Sequence, residues 1–257
     1  MANISVELSH QLATVTIENN GKLNALNIAM WQQLGQIFIE LDQNLALRCI
    51  LIRGAGEHFA AGADVEEFAT ARNTLKDGMH YHNQVIAKTL NAMQVCRHPV
   101  VAMIQGVCVG GGLEIALSAD IRIASPKATF GIPIAKLGFP LAPLELQSLL
   151  GLVSKSVALE MLLEAKIFTA QEALQKGLIQ RIAENIQEET LATIQRICDG
   201  APLAARSNKQ MIRRLSQNPE PLTQAELENA FSFLETQDYQ EGVFCFLGKT
   251  KPHFTGQ

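Results

Sequence analysis

The chain has 257 residues, 47% of them hydrophobic, and a formal net charge of −4. That length holds one large domain, or one domain with a small appendage, and the apolar fraction is ample for a core without staples. The longest apolar runs, such as Val100 to Ile104, fall far short of the roughly 18 to 20 residues that cross a bilayer, and an acidic chain with no long basic run offers no footprint for nucleic acid. Cys49, Cys96, Cys108, Cys198 and Cys245 are odd in number, widely spaced and form no C-x-x-C pair. They read as buried free thiols, not as a zinc ribbon or a disulfide framework. The opening Met1-Ala2-Asn3-Ile4-Ser5-Val6-Glu7 has neither a basic n-region nor a long apolar h-region, so a cytoplasmic location is expected.

In chain order, the first half alternates short β-rich runs with helical patterns: Leu12 to Ile17, Ile28 to Leu45, Cys49 to Arg53, and a long helical stretch from Leu75 to Gln94. That is an α/β rhythm. Pro99 to Ile104 reads as a buried strand, followed by a glycine-rich turn, a helix from Gly111 to Ser118 and a strand from Ile121 to Ala124. Beyond Leu144 helical segments dominate: 144–150, 155–163, 170–176, 188–198, 204–215 and 223–234. Thr169 with Glu172 three residues on is a capping box, and Gly177 a helix stop. No low-complexity linker cuts the chain. The division expected is a core of residues 1–195 and a helical layer of residues 196–257 that is not an independent domain.

Two turns carry the chemistry. In Gly106-Val107-Cys108-Val109-Gly110-Gly111-Gly112-Leu113-Glu114-Ile115-Ala116-Leu117, glycines sit where a strand hands over to a helix whose first N–H groups lack intrahelical acceptors. Such a turn favours developing negative charge. It has no G-x-G-x-x-G spacing, no G-K-[ST] ending and no G-x-S-x-G elbow, which argues against dinucleotide, Walker-type and serine-hydrolase readings. Glu114 lies in an otherwise apolar helical run, where a carboxylate needs a hydrogen-bond partner, a raised pKa or a job; acid–base work is the reading taken over a structural ion pair. The second turn, Phe59-Ala60-Ala61-Gly62-Ala63-Asp64-Val65, again exposes backbone N–H groups among small residues, with Asp64 read as an N-cap.

In this order and spacing the two turns resemble the crotonase superfamily, with its F-x-A-G-x-D and G-x-x-x-G-G-G-x-E-[LIV]-A patterns. Lys22-Leu23-Asn24-Ala25-Leu26-Asn27 is similar to the family's N-A-L-[ND] segment, and Asp238 to Gly242 with Phe246, Lys249, Pro252 and Phe254 is similar to its tail. The resemblance covers nearly the whole chain. It implies an α/β spiral of ββα units with a helical C-terminal trimerisation layer, assembled as a homotrimer or homohexamer. It implies an acyl-CoA thioester substrate, with coenzyme A part of the substrate and no separate cofactor or metal. The Ala63 and Gly111 N–H groups would form an oxyanion hole; Ala61 to Val65, with Asp64 among them, would hold the adenine, and Ala25 would be a further CoA-binding position; Lys22 and Lys249 would meet phosphates, the latter reaching a neighbouring subunit.

Hydratases of this family carry a second glutamate at the end of F-G-x-P-E. Here the segment reads Phe130-Gly131-Ile132-Pro133-Ile134, and the following glycine-rich stretch is replaced by Leu141-Ala142-Pro143-Leu144-Glu145-Leu146 after Pro140. Either Glu114 works alone, which suits isomerisation or a sluggish hydration, or Glu145 is a displaced second acid, although a glutamate opening a helix also suits the dipole. The expected function is an enoyl-CoA hydratase or isomerase. Decarboxylation, thioester hydrolysis and mere acyl-CoA binding stay open beside it. His80 and His82, about 200° apart on an α-helix, suit no shared metal, and His58 reads as a surface residue.

Overall fold

The computed structural model describes residues 2–257. The chain opens with a hairpin of β1 (Asn3–Ser9) and β2 (Leu12–Glu18), then α1 (Ile28–Gln43) and β3 (Cys49–Gly54). The short α2 (Phe68–Ala71) and α3 (Leu75–His80) lead through a π-helical stretch, Tyr81–Ile86, into α4 (Ala87–Val95). There follow β4 (Val100–Ile104), β5 (Val107–Val109), α5 (Gly111–Leu117), β6 (Ile121–Ala124), β7 (Thr129–Gly131), α6 (Pro143–Leu150) and α7 (Lys155–Glu164). The rest comprises β8 (Phe168–Thr169), α8 (Ala170–Gln175), β9 (Arg181–Ile182), α9 (Ile186–Cys198), α10 (Pro202–Gln217), α11 (Gln224–Phe231) and α12 (Gln237–Gly248).

One sheet runs β1-β2-β3-β4-β6-β9, parallel after the opening hairpin; the other runs β5-β7-β8. Parallel strands covered on both faces must be apolar throughout, and β4 (Val100-Val101-Ala102-Met103-Ile104) is buried at every position. Alternation decides which side each residue serves. Ile50, Ile52, Val100, Ala102 and Ile104 face the main core with Trp31, Leu34 and Phe38 of α1. Cys49, Leu51, Val101, Met103 and Ile123 face a smaller core closed by Ile186 and Ile194 of α9. Each aliphatic side chain so buried contributes about 1.5–3 kcal/mol.

The elements expected in the first half are present, and Thr169–Glu172 forms a reciprocal capping box with Gly177 at φ +78° just beyond the helix end. Three differences are instructive. Strand β1 is mostly exposed, with Ile4 its one buried residue, so it has little apolar alternation to announce it. The helix expected over 75–94 is continuous but carries the π-helical turn, which shifts the register of everything from Tyr81 onward. Helix α12 places Phe244, Phe246 and Leu247 at the surface, so no buried stripe marks it. Helix α9 runs through residues 195 and 196, where the sequence parts core from C-terminal layer. That layer is tied back by polar reach: Arg206 donates to the Leu45 and Leu47 carbonyls, Lys209 to the His98 carbonyl and Asp120, and Arg48 to the Cys198 and Phe254 carbonyls.

Candidate active site

The first turn is built on Asn24, 4% exposed and at φ +58°. Its amide donates to the carbonyls of Ala55 (2.9 Å) and His58 (2.8 Å) while its oxygen accepts from the Asn19 N–H (3.1 Å). Residues 22–27 are thereby clamped to the loop after β3. Leu26 then brackets Ala63 from both sides: Leu26 N–H donates to Gly62 O (2.7 Å) and Asp64 N–H to Leu26 O (2.8 Å). In a parallel bridge of this kind the bracketed residue's own N–H points away from its partner, and the Ala63 N–H has no backbone or side-chain acceptor among the described residues.

The second turn meets the first through missing side chains. Gly62 is at φ +98°, and a Cβ there would lie 2.9 Å from the Gly111 nitrogen; a Cβ on Gly112 would lie 2.1 Å from the Ala60 carbonyl oxygen. Only glycine permits this approach. Gly111 is the first residue of α5, so its N–H has no partner within the helix. Two unengaged N–H groups from separate turns therefore lie side by side.

Glu114, in the first turn of α5, is 5% exposed. No donor among the described residues bonds its carboxyl group. Burial pushes its pKa well above the usual carboxylate range, the negative charge of Glu145 pushes it further, and Arg72 opposes both. Glu145, in the first turn of α6 and 3% exposed, has Oε1 2.7 Å from His82 Nδ1. The structure thus brings the two carboxylates of the sequence reading together and gives one of them a histidine partner from the π-helical stretch. Such π turns recur at functional sites. Ile134 lies instead on the short helical turn 133–137, half-buried against the main core.

Arg72, which sequence reasoning missed, stands beside these acids at the end of α2. Its guanidinium carbon lies 3.7 Å from the Phe68 ring centroid, 4.5 Å from Phe139 and 5.1 Å from Tyr81. A lone arginine after Phe-Ala-Thr-Ala gives no local signal, because two of its three ring partners, Tyr81 and Phe139, come from distant segments. His82 was equally hidden, since an α-helical register cannot anticipate the π turn that carries it.

The remaining residues separate. Asp64 is the N-cap expected, its carboxylate accepting from the Glu66 N–H at 3.2 Å. Lys22 Nζ is 2.6 Å from Asp64 and 2.8 Å from Glu66, hydrogen bonds that push its pKa up to about 12. Ala25 is buried, Ala61 half-buried and Val65 exposed. Lys249 caps α12 at φ +55° and makes no side-chain bond to either turn within the chain. His58 is not a free surface residue: its Nδ1 accepts the Val107 N–H at 3.2 Å and so braces β5.

Paired glycine turns over a buried acid, on a mixed α/β fold, define an enzyme of the crotonase class. Residues 7–257 match the Enoyl-CoA hydratase/isomerase family along their length. The chain is 31% identical to the short-chain-enoyl-CoA hydratase of Clostridium acetobutylicum over 253 residues, 97% of this chain and 96% of that protein. Among solved structures, an enoyl-CoA hydratase/carnithine racemase from Magnetospirillum magneticum superposes with a TM-score of 0.96 at 40% identity, covering 100% of this chain and 97% of that one. An enoyl-CoA hydratase/isomerase family protein from Hyphomonas neptunium gives 0.93 at 32% identity, covering 99% and 98%. The chain belongs to the enoyl-CoA hydratase/isomerase family, and it is an acyl-CoA thioester enzyme, nominally an enoyl-CoA hydratase.

Proposed function

We propose that this enzyme hydrates a 2-enoyl-CoA with two carboxylates, Glu114 and Glu145, the latter standing in for the glutamate that Ile134 replaces. The observation that carries this is the pairing itself: two buried carboxyls on different helices, close enough for the charge of one to raise the pKa of the other. Pairs of acids whose environments drive their protonation apart divide acid and base roles between them. Glu114, pushed towards its acid form, delivers a proton to the α-carbon. Glu145, oriented by His82, takes the proton of the water that adds to the β-carbon.

The thioester oxygen sits between the Ala63 and Gly111 N–H groups, which stabilise the enolate as charge develops; removing one such donor costs about 2.7–4 kcal/mol of barrier. Coenzyme A enters as part of the substrate, its adenine against Ala25 and 61–65 and its phosphates towards Lys22. Lys22 must then share its cation between phosphate and the Asp64–Glu66 pair. We assign the work to the cytoplasm, where five unpaired thiols, four of them buried, stay reduced. Among the described residues no helix is long and apolar enough to cross a membrane.

Assembly as a homotrimer or homohexamer through the layer 196–257 is supported by its surface: Phe246 is 83% exposed, Leu247 77% and Phe244 74% in the single chain. Aromatic residues clustered in this way call for a cover. In the assembled form Lys249 would reach a neighbour's CoA phosphates.

The test is a paired assay on 2-enoyl-CoA and 3-enoyl-CoA thioesters with wild type and Glu114→Gln. Efficient hydration that collapses in the variant supports the proposal. Turnover of the 3-enoyl substrate alone would make the enzyme an isomerase working with Glu114. Binding without turnover of either would leave other enolate chemistry or a binding role.

A further inference from the structure

Arg72 is a cation set among aromatic rings with no anion assigned to it. Its Nε is buried with no hydrogen-bond partner, and it forms no ion pair with any described residue. The rings cover that nitrogen, while the residue as a whole is only half-buried, so the rest of the guanidinium stays open to a ligand. The rings hold the guanidinium plane from several directions: Phe68 from its own helix, Tyr81 from the π-helical stretch and Phe139 from the segment before α6. Phe68 also meets Phe139 edge-on at 6.0 Å and Tyr81 at 6.3 Å. A planar fork fixed in this way is pre-organised for two parallel hydrogen bonds to a carboxylate.

Neither nearby acid takes that role. Glu145 spends Oε1 on His82, and Glu114 is pushed towards its neutral form. Neither bonds to Arg72, and the Tyr81 ring beside the guanidinium adjoins His82, the partner of Glu145, which sets Arg72 on the Glu145 side of the site. The thioester oxygen belongs to the Ala63–Gly111 pair and the phosphates to the Lys22 side. What is left for Arg72 is the far end of the acyl chain, on the side lined by Tyr81 and Phe139.

We infer that Arg72 receives a carboxylate at the end of the acyl chain, so that the preferred substrate is the CoA monothioester of an unsaturated dicarboxylic acid. This rests on the acyl-CoA reading above and not on hydration, and the experiment separates the two because it needs no turnover. Calorimetric binding of the freshly prepared saturated thioesters succinyl-, glutaryl- and adipyl-CoA, which have no double bond to hydrate, is compared with butyryl-, pentanoyl- and hexanoyl-CoA. At least one acid thioester should bind about 10- to 100-fold tighter than its neutral match. Arg72→Met should abolish that preference while binding the neutral thioesters within about threefold of wild type, and Arg72→Lys should restore part of it. Neutral thioesters bound as tightly as acid ones across the series by wild type would overturn the inference, whether or not Arg72→Met folds. So would an Arg72→Met protein that loses affinity equally for both, the mark of a cation that only latches the aromatic rings together.

Discussion

Glu114 is expensive to the fold and is the acid on which the proposed chemistry turns. Its carboxyl has no donor and its pKa is raised, first by burial and then by Glu145. A carboxyl whose pKa is higher folded than unfolded adds stability below its unfolded value, near 4.3, and loses it as pH rises towards the folded value. Glu114→Gln is therefore expected to melt higher than wild type at pH 7, with the gap closing as the pH approaches 4, while activity falls; thermal scans over that range check the sign. His82 bonds Glu145, the proposed base. His82→Ala should lower kcat about tenfold with a smaller effect on KM and displace a limb of the pH–rate profile, changes that a purely structural histidine would not produce. Gly112→Ala tests the contact between turns, because its new Cβ would fall 2.1 Å from the Ala60 carbonyl. A loss of about 2 kcal/mol or more in denaturant unfolding is expected, with activity lost alongside it.

Among the elements, those that bury a regular apolar pattern were legible from sequence. Helix α1 shows Met30, Trp31, Leu34, Phe38 and Leu41 on one face and Asn27 as its cap, and β3 and β4 are continuous apolar runs. The two glycine turns were legible because close backbone approach admits almost no other residue. What escaped depended on distant partners: β1 declares itself only through β2, the π turn alters register without changing composition, and the cage around Arg72 joins segments separated along the chain. Glu145 was recognised as a candidate, whereas His82 beside it was weighed only as a metal ligand. The capping box at Thr169 offers a check at this scale. Thr169→Ala removes an acceptor for the Glu172 N–H and should cost about 1 kcal/mol in chemical denaturation without changing KM.

For the molecule as a whole, the sheets and their helices hold the two glycine turns against each other, while the C-terminal helices hold their largest side chains outward. On the proposed assembly, light scattering should find three or six 28.0 kDa chains together in wild type and smaller species in Phe246→Asp. If Lys249 serves a neighbour's CoA, the same variant should raise KM. The most direct measurement is steady-state hydration of a 2-enoyl-CoA by Glu114→Gln, Glu145→Gln and the double variant. Residues that work as one unit are non-additive: each single change should cut kcat by about 10²- to 10⁴-fold, and the double variant should be little worse than either. A Glu145→Gln enzyme that hydrates at the wild-type rate would contradict the two-carboxylate mechanism.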